Sequence, residues 1–585
     1  MVESKVVIKN GKSYFGDAWA EKKDYLNILH LKGTNYEIGY QHGVLLEDEI
    51  KKGACPVYAD PLKKEGITNP IKKFLGKIYL NHKIYKPAEK EQPKELIDIL
   101  KGISDGSGVS YKTIFRGNHH TLVSMMMTPI VIKNTEKKFN ELGINIQPAC
   151  STFVATKGAT AEGKTIVGRN TDYSAIHEWP MYQTVSFIEP SNGFKYVQIG
   201  TAGVLLWGPG MNENGIVVCC HYMIYDDMDP AGWCVPAYTE AILRDAESLE
   251  DAVKILNKNP RGISGGIVVA DGKTKNAFAA EVSKGKATIR WLENNHLIMT
   301  NMAVNEEKRK IDFVSKYNLN EGCPGRYRRL EQLIKSNQGR IDPALAAEFM
   351  GDHIRYTTST ERNAYGIVGV DDNVNSMVFS PEELKLWVAA GPAPVCNNPF
   401  IGFDFKAGFE GKSYNTTPRM LKGYQFNNKN KREGMVLFNK AYMLYEKHVK
   451  STPEILSYIR KALEKDPEEV IYYQMLAKFF IHLGKYEEGI KLITDALKQT
   501  QSANEEAHNT LLLGILHDLS GNRENALSFY QKIDTLIEQE PEDSWFKINR
   551  VIKAYSEKYR INAFDKKNLN DRCVSIEFSQ GAGVE

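Results

Sequence analysis

Apolar positions along the 585-residue chain change their spacing twice. From about residue 25 to 145 they recur at helical intervals. YEIGYQHGVLLEDEIKK (Tyr36 to Lys52) and PKELIDILKGISDG (Pro93 to Gly106) are amphipathic by this measure, and each is followed by glycine or proline. At Cys150 the texture becomes β-branched runs separated by turn residues. STFVATKGATAEGKTIVGRN predicts a hairpin around a Gly-rich turn. Three more hairpins follow, turning at Ser191-Asn192-Gly193, between Gly210 and Gly215, and at Asp271-Gly272. Helical spacing returns between them over Ala237 to Lys258 and Gly325 to Asn337, and strand character ends near Glu383 to Phe405. Hairpins grouped with separate helices predict a layered α+β unit rather than alternating βαβ repeats.

The second change falls at a Lys- and Asn-rich stretch, residues 423–432, which reads as a linker. Beyond it, Leu476 to Leu497 and Leu511 to Ile533 share one pattern: a helix, a turn at Gly484 or Gly521, and a second helix carrying Ala496 or Ala526. This is a degenerate helix-turn-helix repeat resembling tetratricopeptide repeats, with a further copy ending in ALEKDP (Ala462 to Pro467). The expected organisation is an N-terminal segment 1–149 that is part of the catalytic fold, a core domain 150–422, the linker 423–432, helical repeats 433–561 and an irregular tail 562–585.

Composition narrows the class. Hydrophobic residues make up 42% and charged residues 25%, and 75 basic against 72 acidic residues leave a net charge of +3. These are values of a globular protein. The signs are interspersed, which argues against nucleic acid or an anionic membrane as partner. The N-terminus lacks a basic stretch followed by an apolar one, so the expectation is a cytoplasmic protein. Eight cysteines at positions 55, 150, 219, 220, 234, 323, 396 and 573 form neither a disulfide framework nor a metal-binding pattern. No metal and no cofactor is expected.

Gly158 to Thr165 matches the phosphate-binding pattern GxxxxGK[ST] letter for letter. That chemistry needs the loop to open a helix, whose amides hold the phosphates. Here TIVGRN follows, a β-branched strand start, so the segment is expected to be a hairpin tip. The same hairpin returns Arg169 and Asp172 toward Cys150, which opens its first strand. A guanidinium beside a thiol favours negative charge on sulfur, and a carboxylate can orient an amine. A structural Arg169–Asp172 ion pair and a buried, inert Cys150 are the plainer alternatives.

ACSTFVATKGATAEGKTIVGRNTDY resembles the nucleophile hairpin of the choloylglycine hydrolase and penicillin acyltransferase group of N-terminal-nucleophile (Ntn) hydrolases, in which a cysteine opens one strand and G-R-N-x-D closes the next. Four other segments resemble the same group in the same order. They are GTNYEIGYQHGVLL (Gly33 to Leu46), GMNENGIVV (Gly210 to Val218), HLIMTNMA (His296 to Ala303) and GRYRRLEQLI from Gly325. The first favours the acyl-CoA:6-aminopenicillanic acid acyltransferase (peptidase C45) branch. The resemblance implies an αββα four-layer sandwich. It also implies cleavage between Ala149 and Cys150, Cys150 as nucleophile, and Arg169 and Asp172 lining the site. Asn301 would help hold the oxyanion, with Arg326 close by. Where choloylglycine hydrolases have an asparagine, this chain has Cys219-Cys220-His221-Tyr222. The second oxyanion donor is therefore left open among a backbone amide, His221 and Tyr222, with Asn212 a further pocket candidate and His221 a candidate base. The freed α-amino group, with a reference pKa of about 7.7–8.0, would serve as general base.

The expected activity is hydrolysis or transfer of an acyl group from a small acyl amide or acyl-CoA thioester. Ceramidase-like lipid-amide hydrolysis and dipeptidase activity are alternatives within enzymes. An inactive Ntn-like scaffold, binding a protein partner or a second copy through its helical repeats, is the alternative outside them.

Overall fold

The alternation that starts at Cys150 becomes the strand Ala149–Ala155 in the computed structural model of the chain, which describes residues 6–64, 69–123, 125–126, 149–205, 208–317, 322–412, 418–447, 452–540, 545–569 and 571–574. This strand pairs antiparallel with Ile166–Asp172, setting Cys150 opposite Thr171 and Thr152 opposite Arg169. On its other side runs His296–Met299, with Met299 opposite Thr152. These three strands belong to a seven-stranded sheet. An eleven-stranded sheet faces it, and the two share one apolar layer. Val154, Val167, Met377 and Phe403 come from the smaller sheet; Val185, Phe187, Val217 and Val268 come from the larger. Helices cover both outer faces. Leu330 and Ile334 of Gly322–Ser336 pack on Phe153 and Ile166, and Ile38, Ile99 and Ile242 cover the far side of the larger sheet. The result is helix, sheet, sheet, helix.

All four of the hairpins expected from Cys150 to Ser283 form, with strands Gln183–Pro190 and Tyr196–Thr201, Gly210–Asn212 and Ile216–His221, and Gly265–Asp271 and Asn276–Val282. The phosphate-loop look-alike is the tip of the first one. Lys164 there is held by Glu162 and Glu383 at 2.6 and 3.2 Å.

Several expectations change. The helical segment expected from residue 25 begins with a strand, Leu26–Gly33, which joins the larger sheet parallel to Gln183–Pro190. Its leucines and Ile28 are buried on both faces, a run whose period does not separate strand from helix. The part of that segment over 127–148 lies outside the described residues. Ala237 to Lys258 is two helices, Val235–Asp245 and Leu249–Lys258, because Ser248 caps the second by accepting from the Asp251 amide. The linker is shorter than expected: Asn428 caps a helix Lys429–Glu446, and Lys431 is buried on Asp466 and Glu468. In the tail, Phe564, Cys573 and Val574 are buried against the last helix, Arg550–Ile561.

Helices Asn35–Leu45 and Lys94–Ser107 approach closely through facing glycines. A Cβ on Gly39 would lie 2.0 Å from the Ile99 carbonyl oxygen, and one on Gly102 would lie 2.2 Å from that of Tyr36. No larger residue fits at either position.

The C-terminal helices form antiparallel pairs. Val470–Leu483 turns at left-handed Gly484 into Tyr486–Leu497, and Ala503–Leu519 turns at Gly521 into Arg523–Glu538. They grip a loop of the α/β unit through a buried ion network. Arg355 meets Glu505 at 2.7 Å, and Arg362 reaches Glu469 at 3.3 Å and Glu505 at 3.5 Å. The Asn363 amide donates to Glu469 at 2.7 Å, and the Tyr365 hydroxyl to Gln474 at 2.8 Å. A second grip lies at Glu446, whose carboxylate accepts from the amides of Ala175 and Ile176.

Candidate active site

Strand alternation decides what surrounds Cys150. Its side chain faces the larger sheet together with those of Thr152, Arg169 and Thr171, whereas Ser151, Asn170 and Asp172 face the outer helices. From the inner side, Arg169 Nη2 donates to Cys150 Sγ at 3.1 Å and to the Cys220 carbonyl at 2.6 Å. From the outer side, Arg326 Nη1 donates to the Cys150 carbonyl at 2.5 Å and to Ser151 Oγ at 3.0 Å. Cys150 is 7% exposed, and the two arginines 1% and 0%. Buried arginine is costly unless its charge is answered, yet no carboxylate lies within ion-pair distance of either guanidinium among the described residues.

Asn301 follows the end of its strand and reaches the Cys150 backbone. Its Oδ1 accepts from the Cys150 amide and from Arg326 Nη2, and its Nδ2 donates to the Tyr222 carbonyl at 2.9 Å. An amide N–H must donate and a carbonyl must accept, which fixes the side-chain orientation. Both ends of Asn301 are therefore engaged. In this arrangement Asn301 Oδ1 anchors the nitrogen of Cys150.

Asp172 departs from expectation. Three residues from Arg169, it points to the opposite face, and no ion pair joins the two among the described residues. Its Oδ1 accepts from Asn373 Nδ2 at 2.6 Å, while Oδ2 is buried without a partner. Burial above all, and then Asp372, push its carboxyl up to about 8, against the pull of Arg326, Asn373 and Arg169. The shift favours the protonated acid at a position paired with Ala149.

His221 does not fit the role of base. Burial first, then Arg169 and Arg326, hold it well below its ordinary range. Its Nε2 sits 2.7 Å from Thr152 Oγ1 and 3.4 Å from Arg169 Nη1. Because arginine only donates, Nε2 is the acceptor and the ring is neutral, with its proton on Nδ1. Tyr222 contributes its carbonyl to Asn301. Asn212 is not brought to the site. Its Nδ2 donates to the carbonyls of Leu243 and Ala246, and its Oδ1 accepts from the amides of Asn214 and Ile216, so its side chain is spent on a turn.

The structure adds residues the motifs did not name. Thr152, Ser151 and Thr171 follow from period-two counting along the hairpin. Thr171, 9% exposed and opposite Cys150, has a hydroxyl without a partner. Asn373 and Asp372 arrive from a distant strand and have no local signal.

Comparison with known proteins bears on the same region. The family described as acyl-coenzyme A:6-aminopenicillanic acid acyl-transferase matches residues 159–393, a span that holds Arg169, Asp172, Asn301 and Arg326 and begins just after Cys150. An uncharacterized protein of Archaeoglobus fulgidus is 26% identical over 406 residues, covering 62% of this chain and 63% of its own. Protein dcd1B of Dictyostelium discoideum is 28% identical over 194 residues, covering 31% of this chain and 34% of its own. The chain thus spans less than two thirds of the length of these curated relatives. Among solved structures, the Caenorhabditis elegans ortholog of N-acylethanolamine-hydrolyzing acid amidase is 18% identical with a TM-score of 0.29, covering 40% of this chain and 93% of that one. The similarity of residues 159–393 to the acyl-coenzyme A:6-aminopenicillanic acid acyl-transferase family thus takes in most of the side chains gathered around Cys150.

Proposed function

We propose that the chain is a cysteine Ntn amidohydrolase or acyltransferase, activated by a cut between Ala149 and Cys150. The observation that carries this reading is the setting of Cys150. Its sulfur lies 3.1 Å from an Arg169 guanidinium that has no carboxylate partner among the described residues, and its nitrogen donates to Asn301.

In the uncut chain the Cys150 thiolate attacks the Ala149 carbonyl carbon. The tetrahedral anion develops in the field of Arg169 and Arg326, the C–N bond breaks and the nitrogen takes up a proton, leaving a thioester. Water then breaks the C–S bond, giving an Ala149 carboxylate and the Cys150 thiol, whose α-amine was freed in the preceding step. Asn301 Oδ1 keeps that nitrogen in place and oriented, and Asp172 becomes its counter-charge. The amine then takes the thiol proton and the sulfur attacks an acyl amide or thioester. The proton passes to the leaving amine or thiol, and the acyl-Cys150 species is resolved by water or by an amine. His221, neutral and engaged by Thr152, serves as a fixed wall of this site.

The C-terminal pairs are read as degenerate tetratricopeptide-like repeats turned inward. Glu469, Gln474 and Glu505 hold the chain's own loop, which favours a brace over a surface for a protein partner.

Denaturing mass spectrometry is the test. Two fragments meeting at Ala149/Cys150 are expected, and an acyl adduct on Cys150 after incubation with a panel of acyl amides and acyl-CoA thioesters. Cys150→Ser is expected to retain some cleavage, and Cys150→Ala neither cleavage nor turnover. An intact chain that nonetheless turns over substrate would sink the processing step, and turnover by Cys150→Ala would overturn the nucleophile.

A further inference from the structure

Helix Pro70–Leu80 is built inside out. A surface helix ordinarily turns its apolar stripe to the core. Here Ile71, Phe74, Leu75, Ile78 and Tyr79 are 70, 64, 58, 44 and 42% exposed, while the side facing the protein presents Leu80 and Gly76, the latter packed on Leu62. The five exposed residues fall at i, i+3, i+4, i+7 and i+8, so they form one continuous arc of about 140°. Lys72 and Lys77, both exposed, border this arc on its two sides. Lys73 lies on the inner side and meets Asp60 at 3.3 Å.

Apart from Asp60, which also lies 4.0 Å from Lys77, the charge along this segment is nearly of one sign. Residues 70–90 contain Lys72, Lys73, Lys77, Lys83, Lys86 and Lys90 against a single acid, Glu89. The whole-chain balance of +3 hides this local excess. No described helix is long and apolar enough to cross a membrane. An apolar arc flanked by lysines is instead the form that lies in a bilayer interface, the arc among acyl chains and the ammonium groups at the phosphates.

We propose that helix Pro70–Leu80 docks the protein on an anionic lipid surface. A protein partner or a second copy would meet the same apolar arc, but neither accounts for lysines on both borders, which match lipid phosphates. The proposal stands apart from the catalytic reading, because none of these side chains belongs to the Cys150 site.

The test is co-sedimentation of the full-length protein with vesicles at physiological salt. Phosphatidylglycerol–phosphatidylcholine vesicles are compared with phosphatidylcholine alone, for wild type and Phe74→Glu/Leu75→Glu. Wild type should partition onto the anionic vesicles, with about tenfold or greater loss on neutral vesicles and in the double variant. The variant should keep its circular-dichroism melt and its extent of self-cleavage, since both side chains point to solvent. Wild type remaining in the supernatant of anionic vesicles overturns the proposal, as does equal sedimentation of the variant. Size exclusion supplies the other arm: a wild-type dimer that the double variant dissolves would make the stripe a contact between copies and would overturn it too.

Discussion

Two clusters of buried arginine sit among the described residues, and they are answered in opposite ways. At the grip between the α/β unit and the C-terminal helices, Arg355 and Arg362 meet Glu469 and Glu505, all of them almost fully buried. Charge meets charge, and the cluster is close to neutral. At the candidate site, Arg169 and Arg326 are equally buried but meet sulfur, carbonyl oxygens, a hydroxyl and an amide. The carboxyl of Asp172, which feels both guanidinium groups, is nonetheless pushed up to about 8 by burial and Asp372. The first arrangement fixes two parts of a fold together. The second leaves positive potential focused on Cys150, where a thiolate or a tetrahedral anion would receive it.

The difference can be broken from either side. Arg169→Met should lower turnover about 10³-fold by removing a preorganised charge at the reacting sulfur. It should also slow alkylation of Cys150 by iodoacetamide, with Arg169→Lys intermediate in both assays. Equal alkylation rates would mean that the guanidinium does not act on the sulfur. Glu505→Ala should cost about 3–5 kcal/mol in urea denaturation, because it takes the Glu505 carboxylate from buried Arg355 and one of two carboxylates from buried Arg362. Replacing Arg355, Arg362, Glu469 and Glu505 together by apolar residues of similar volume should recover most of that loss. At the site no such compensated replacement is expected to restore function.

A smaller effect concerns Asp172 and can be read in a Cys150→Ala background, where cutting does not intervene. Its carboxyl titrates near 3.8 unfolded and at about 8 folded. Between those values the unfolded chain has lost a proton that the folded chain keeps, so this group's contribution falls as pH rises from about 4 to about 8. Asp172→Asn removes that slope. Its melting temperature should gain on the parent steadily across the same window, and a constant offset would count against the raised value. The smallest effect belongs to Asn212→Ala. It should cost about 1–2 kcal/mol for a lost turn and leave Cys150 alkylation unchanged.

Much of the site was legible because it is local. Period-two counting from Cys150 carries Arg169 to the same face, and the strand-end Thr300-Asn301 reaches the Cys150 nitrogen through one neighbouring strand. The same counting places Asp172 on the other face, which a reading by proximity along the chain overlooks. What was not legible is long-range. The strand Leu26–Gly33 is settled by its parallel partner at Gln183–Pro190, and the raised carboxyl of Asp172 depends on Asp372 and Asn373, two hundred residues away in sequence. The inward grip of the C-terminal helices was hidden for the same reason. Glu469 and Glu505 read as ordinary surface acids until Arg355 and Arg362 are set against them.

The strand Leu26–Gly33 and the glycine-paired helices have one more consequence. They make the described strands before Cys150 one end of the larger sheet, paired to Gln183–Pro190, and the helices part of its cover, so a cut after Ala149 would release nothing. It would change the order of the folding reaction. The intact chain folds as a unimolecular event, whereas the cut protein could refold only by two pieces finding each other. Its recovery would depend on concentration, and dilution of the unfolded pieces would make the loss permanent. Activation and the last opportunity to refold alone would then be the same event.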